Sequence, residues 1–207
     1  MDKEPYLYSF LEHDNPVTEI LEQEAESRDD IQPFVERETA RLISLLIRVT
    51  KAKRVLELGT GIGYSTVWLG EAVRATGGTV TTVDNHQRTG VEARETVEKS
   101  GLEEHVILLQ GDAEELIPMM VARGDAYDLI FQDCGKYLYP LLYDDVYQLL
   151  KPGGILVSDD TLFRVDASVR KGLGRYIDEY NKRLFADSRY YSTLLPAGHG
   201  VAVSYKV

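Results

Sequence analysis

From Lys53 onward the chain alternates short apolar or β-rich runs with helical patterns, and this alternation constrains its fold more than any other feature. The runs are Arg54–Leu58, Thr79–Val83, His105–Gln110, Tyr127–Gln132 and Gly154–Ser158. Strands separated by helical crossovers pair in parallel, and right-handed crossovers place helices on both faces of the sheet. After a helical stretch around Ser168–Phe185, two further runs, Tyr190–Leu195 and Gly200–Lys206, flank Pro196-Ala197-Gly198-His199, which reads as a hairpin closing one edge. The first 50 residues read as helices. Val17, Ile20 and Leu21 mark one apolar face, and Val35, Thr39, Leu42, Ile43, Leu46 and Val49 mark a second. Pro16 and Pro33 stand where helices can begin. The expectation is one α/β domain over 1–207, with a helical extension over 1–50 and a doubly wound core over 53–207. Its sheet has seven strands, mostly parallel, with a C-terminal antiparallel hairpin.

Composition narrows the partners. With 34 acidic and 23 basic side chains the net charge is −11, which opposes a phosphate backbone, so nucleic acid is not an expected partner. The single Cys134 cannot form an internal disulfide, and no apolar run reaches the length of a membrane span or a signal segment. A cytoplasmic location without a membrane partner is the simplest expectation.

In an open parallel sheet, ligands bind beyond the carboxyl ends of the strands, where the winding reverses. The first strand runs into Glu57-Leu58-Gly59-Thr60-Gly61-Ile62-Gly63-Tyr64-Ser65. A dinucleotide turn has G-x-G-x-x-G, but here Tyr64 stands where the third glycine belongs and Gly63 comes one residue early. Glu57 would repel a pyrophosphate and favour an ammonium or sulfonium. The spacing therefore points to S-adenosylmethionine rather than NAD, with Glu57, Gly59, Gly61, Gly63 and Ser65 as candidate cofactor residues. The Ser65 hydroxyl either caps the following helix or binds the cofactor's carboxylate. Asp84, after the second strand, suits the ribose hydroxyls. Asp112 and Ala113 open the next helix, and Asp112 is equally a helix cap and a ligand contact.

Each of the five strand ends delivers a carboxylate to one rim, a crowding that calls for cations. Asp133 and the pair Asp159-Asp160 are hard oxygen donors suited to Mg²⁺, with Mn²⁺ or Ca²⁺ as substitutes. Asp133 also borders the cofactor space. The alternative for Asp159-Asp160 is a solvated turn after Pro152-Gly153-Gly154. Cys134 reads as a small packed hydrophobe. Lys136 is either a surface charge or, beside a metal and a sulfonium, an amine whose pKa falls toward that of a general base.

These residues resemble the cation-dependent O-methyltransferases of the catechol and caffeoyl-coenzyme A type, from about Ile31 to Lys206. The family's V-L-E-x-G-x-x-x-G-Y-S is similar to Val55 through Ser65, and its acidic ribose residue falls on Asp84. Its D-x-x-K-x-x-Y falls on Asp133, Lys136 and Tyr139, its D-N metal pair on Asp159-Asp160, and its L-P-x-G-x-G on Leu195 through Gly200. The resemblance implies a Rossmann-like methyltransferase sheet. It further implies S-adenosylmethionine as donor, a metal on Asp133, Asp159 and Asp160, Lys136 as the group that takes the substrate proton, and a small vicinal dihydroxy aromatic as substrate. A homodimer is also expected. Asp160 replaces the usual asparagine, Gly135 replaces a more usual polar residue, and Phe163-Arg164-Val165-Asp166 is brief where many relatives carry a longer loop. His199 stands at a hairpin position often acidic in relatives and reads as a surface residue. Phe163 and Ile31 are candidates to line the aromatic pocket. Two other readings stay open: a nicotinamide-dependent oxidoreductase, and a non-catalytic S-adenosylmethionine-binding domain.

Overall fold

The computed structural model describes residues 3–207; the first two residues of the expected extension lie outside the described residues. The N-terminal part holds α1 (Lys3–Tyr8), α2 (Pro16–Ala25) and α3 (Arg37–Thr50). The alternating part follows as β1 (Arg54–Leu58), α4 (Tyr64–Thr76), β2 (Thr79–Asp84), α5 (Gln87–Ser100), β3 (Val106–Gln110), α6 (Ala113–Arg123) and β4 (Tyr127–Gln132). It closes with α7 (Leu138–Leu141), α8 (Tyr143–Leu149), β5 (Leu150–Ser158), α9 (Lys171–Ala186), β6 (Tyr190–Leu195) and β7 (Val201–Lys206).

The seven strands form one sheet in the order β3-β2-β1-β4-β5-β7-β6. The first five are parallel, and β7 runs antiparallel to both β5 and β6. The winding reverses between β1 and β4, so the carboxyl ends of those two strands open a crevice. Strand periodicity sorts the core onto two faces. Val55, Leu129, Phe131 and Val157 pack against α3 and α4, whereas Leu56, Leu58, Ile130 and Leu156 pack against α6, α8 and α9. Ile43 and Ile47 bring α3 onto the first face, each contributing about 1.5–3 kcal/mol by burial.

Three local expectations shift. β5 begins at Leu150 rather than Gly154, because Leu150 pairs with Tyr127 ahead of an irregular stretch at Pro152-Gly153-Gly154. α9 begins at Lys171 rather than near Ser168, because the Asp166 carboxylate accepts from the Ser168 backbone and hydroxyl and holds that segment in a turn. Ile20 and Val49, assigned above to apolar faces, are exposed, and Val35 is buried just ahead of α3 rather than within it. Among the described residues no helix is long and apolar enough to cross a membrane.

Candidate active site

A cavity of about 700 Å³ sits over the carboxyl ends of β1 and β4. Its floor is the glycine turn after β1. Gly59 adopts φ +103°, and a Cβ there would lie 2.0 Å from the Asp133 carbonyl oxygen, so only glycine lets the β1 and β4 ends come together. Asp84 braces the turn: one carboxylate oxygen accepts from the Thr60 and Gly61 amides, each at 3.0 Å, and the other from the His86 amide at 2.8 Å. Gly59, Gly61, Ser65, Asp84, Asp112, Ala113 and Asp133 all line the cavity. Asp112 caps α6 by accepting from the Glu114 amide and also lines the cavity.

Two candidate cofactor residues are placed differently. Glu57 is fully buried and does not line the cavity. It shares the Val55 face of β1 and points into α4, where it accepts hydrogen bonds from Ser65 Oγ at 2.6 Å and Thr66 Oγ1 at 2.5 Å. Burial pushes its carboxyl up to about 7, against the pull of those hydroxyls. Its hydrogen-bonded neighbour on the cavity wall is Ser65, whose hydroxyl is turned inward and caps no helix. Gly63 is also absent from the lining; a Cβ there would press on the Thr96 side chain at 3.2 Å, so this glycine serves the approach of α5 to α4.

The second half of the cavity is a carboxylate cluster around a lysine. The loop after β4 turns Lys136 back so that Nζ donates to Asp133 Oδ1 at 2.9 Å and to the Tyr139 hydroxyl at 3.1 Å, and lies 2.6 Å from Asp160 Oδ2. Tyr139 is fully buried and donates to the Gln132 carbonyl at 2.8 Å, which fixes the lysine's neighbour to the end of β4. Asp160 adopts φ +58°, the left-handed region that asparagine and aspartate tolerate better than other branched or bulky side chains. Asp159 is buried, and its Oδ1 has no hydrogen-bond partner. Burial, together with the charges of Asp133 and Asp160, holds the Asp159 carboxyl well above the ordinary range.

Lys136 departs from its expected titration. Burial presses the ammonium toward neutrality, but Tyr139, Asp133 and Asp160 outweigh it and hold the group well above its usual value. Two of the three carboxylates that the metal reading assigns to an ion, Asp133 and Asp160, here face the lysine. Among the described residues no three carboxylate, thiol or imidazole groups stand close enough together to hold an ion as placed. The donor chemistry nevertheless fits a hard divalent cation: the carboxylates of Asp133 and Asp160 hold one ammonium, and the neighbouring Asp159 Oδ1 is buried without a partner. Cys134 packs against the core, and burial pushes its thiol up to about 12.

Sequence reasoning missed much of the cavity roof. Ile31 and Phe163 do line it, and so do Phe34, Glu36, Leu173 and His199. The Phe34 ring stacks flat on Tyr64, with centroids 4.6 Å apart and planes 3° apart. His199 is no isolated surface residue: Nδ1 lies 2.9 Å from Asp166 Oδ2, and its ring meets Phe163 edge-on. These residues reach the cavity through tertiary folding, and no local spacing marks them.

Known proteins share the fold and the family. The O-methyltransferase family model matches residues 11–207. A catechol O-methyltransferase from Niastella koreensis is 31% identical over 123 residues, covering 59% of this chain and 55% of that protein. The chain thus spans little more than half of that relative's length. Caffeoyl-CoA O-methyltransferase 1 from Nicotiana tabacum is 30% identical over 179 residues, covering 81% of this chain and 74% of that protein. Among solved structures, an O-methyltransferase from Bacillus cereus in complex with SAH superposes with a TM-score of 0.87, covering 99% of this chain and 96% of that one; at 22% identity it shows the fold alone.

Proposed function

The chain belongs to the O-methyltransferase family, and from that premise we propose that it transfers a methyl group from S-adenosylmethionine to a hydroxyl of a small vicinal dihydroxy aromatic. The observation that carries this reading is the pairing of buried Lys136 with Asp133 and Asp160, which face the same cavity as the glycine turn. The nicotinamide and non-catalytic readings are not favoured, since family and constellation both point to methyl transfer.

The donor half is built to hold a ligand in place. Asp84 keeps the Thr60 and Gly61 amides fixed, which leaves the backbone of the turn open to close approach, and its remaining lone pairs accept from ribose hydroxyls. A Mg²⁺ or Mn²⁺ ion on Asp133, Asp159 and Asp160 would supply acidity to the acceptor hydroxyl and draw those carboxylates away from Lys136. Lys136 is an ammonium as placed; once it has given that proton to solvent, its free amine, aimed by Tyr139, takes the hydroxyl proton. The acceptor oxygen then bonds to the methyl carbon as the carbon–sulfur bond breaks and the thioether product leaves. Phe163 and Phe34 provide apolar surface for an aromatic ring and exclude water.

The test is methyl transfer to catechols and hydroxycinnamoyl thioesters with and without a chelator. Turnover should vanish in excess chelator and return with Mg²⁺ or Mn²⁺. Full turnover in chelator would leave the three aspartates as charge balance for Lys136 and would overturn the metal part alone.

A further inference from the structure

Residues 26–36 link α2 to α3 and pass across the cavity, lending it Asp30, Ile31, Phe34, Val35 and Glu36. One carboxylate secures both ends of this strap. Glu22, on α2, accepts from the guanidinium of Arg37, the first residue of α3, through both carboxylate oxygens. The same carboxylate accepts from the Tyr64 hydroxyl, and His13 Nε2 lies 3.4 Å away. Tyr64 is the first residue of α4, immediately after the glycine turn, and its ring carries the stacked Phe34. Burial presses the Glu22 carboxyl upward, but the hydrogen bonds from Arg37 and Tyr64 outweigh it, so the group stays ionised and available to both donors.

The arrangement goes beyond packing. Two elements that share no strand, the strap and the glycine turn, meet at Phe34 and Tyr64 on the cavity wall, and Glu22 is the group bonded to both sides of that meeting. Other ties along the strap run to more exposed partners: Arg28 joins the exposed Asp30 to Glu92, Arg88 also donates to Asp30, and the exposed His199 lies 3.7 Å from Glu36. We propose that Glu22 is a positioning residue for the donor half of the cavity. By holding the Tyr64 hydroxyl and the Arg37 guanidinium it sets the Phe34–Tyr64 wall beside the glycine turn, so the N-terminal helices complete the donor pocket. This rests on the reading that S-adenosylmethionine binds beside that turn.

The experiment is a double-mutant cycle on the full chain, reading S-adenosylhomocysteine affinity by calorimetry and donor KM against kcat. Tyr64→Phe deletes one oxygen and keeps the ring stack; Glu22→Ala removes the carboxylate. Tyr64→Phe should weaken the affinity about tenfold, with donor KM rising more than kcat falls. Glu22→Ala should do at least as much, and adding Tyr64→Phe to it should change nothing further, because both delete the same bond. Wild-type affinity in Tyr64→Phe, or losses that multiply in the double variant, would overturn the proposal. A lower melting midpoint in Glu22→Ala with unchanged affinity would overturn it too. If Glu22→Ala does not fold, Tyr64→Phe decides alone. A wild-type chain that fails to bind S-adenosylhomocysteine would overturn the donor reading itself and this inference with it, whereas binding that the variants leave intact overturns only the role of Glu22.

Discussion

The donor half and the acceptor half of the cavity are built on opposite principles. In the donor half nearly every polar group is satisfied before any ligand arrives: Asp84 holds three backbone amides, Asp112 caps α6, and Ser65 is hydrogen-bonded to Glu57. The acceptor half concentrates acidic groups, with Asp133 and Asp160 on Lys136 and one oxygen of the adjacent Asp159 left without a partner. A preorganised turn binds with little rearrangement, whereas a crowded carboxylate cluster gains stability only when a cation joins it. Binding should therefore depend mainly on the first half and chemistry mainly on the second.

The comparison breaks most visibly at Lys136. Lys136→Ala should depress kcat by about 10²–10⁴-fold, as expected for loss of a general base, while donor affinity moves far less. Steady-state kinetics with an authenticated acceptor, paired with calorimetry for S-adenosylmethionine, separates the two effects. Equal losses in kcat and in donor affinity would erase the division of labour. Wild-type kcat would return Lys136 to a structural charge that offsets Asp133 and Asp160.

Glu57 shows what sequence could and could not reveal. The alternation of β1 places it on the face of Val55, away from Leu56 and Leu58, so its inward position was legible from spacing alone. Reading it by charge instead assigned it to the ligand. The parallel sheet with its closing hairpin, the glycine turn and the Asp133–Lys136–Tyr139 spacing were legible because each is local or follows from alternation. Phe34, Glu36 and His199 were not, because a strap, a helix start and a hairpin tip meet at the cavity only after the N-terminal helices dock. The start of α9 was hidden by one side chain, Asp166, whose turn competes with the helix.

Glu57 also sharpens the comparison through pH. Its carboxyl is raised to about 7 in the folded chain, above the unfolded value, so the folded state binds the extra proton between the two. This contribution to stability is fully present below the unfolded pKa and is lost as pH rises through about 7. From the shift, its full size is about 3 kcal/mol. Glu57→Gln, which stays neutral, should lose less stability than wild type across that window in denaturant titrations. Parallel pH profiles for the two proteins would mean that the Ser65 and Thr66 hydroxyls already keep Glu57 ionised, and the donor half would then hold a buried charge of its own.

The smallest expected effect tests whether the donor half really works by backbone. Gly61 lines the cavity at φ +54°, and a Cβ built there meets nothing within 4 Å. A side chain at this position therefore has room but the wrong backbone preference, and it would project into space left for a ligand. Gly61→Val should weaken donor binding about tenfold, or ~1.4 kcal/mol, while kcat at saturating donor falls less. Because Asp84 holds the Thr60 and Gly61 amides, the turn should keep its place and the variant should remain folded. Calorimetry on the folded variant decides the matter. Unchanged affinity would show that the ligand is held by side chains alone, and the contrast between a prebuilt backbone cradle and a charge-driven acceptor site would fail on its first half.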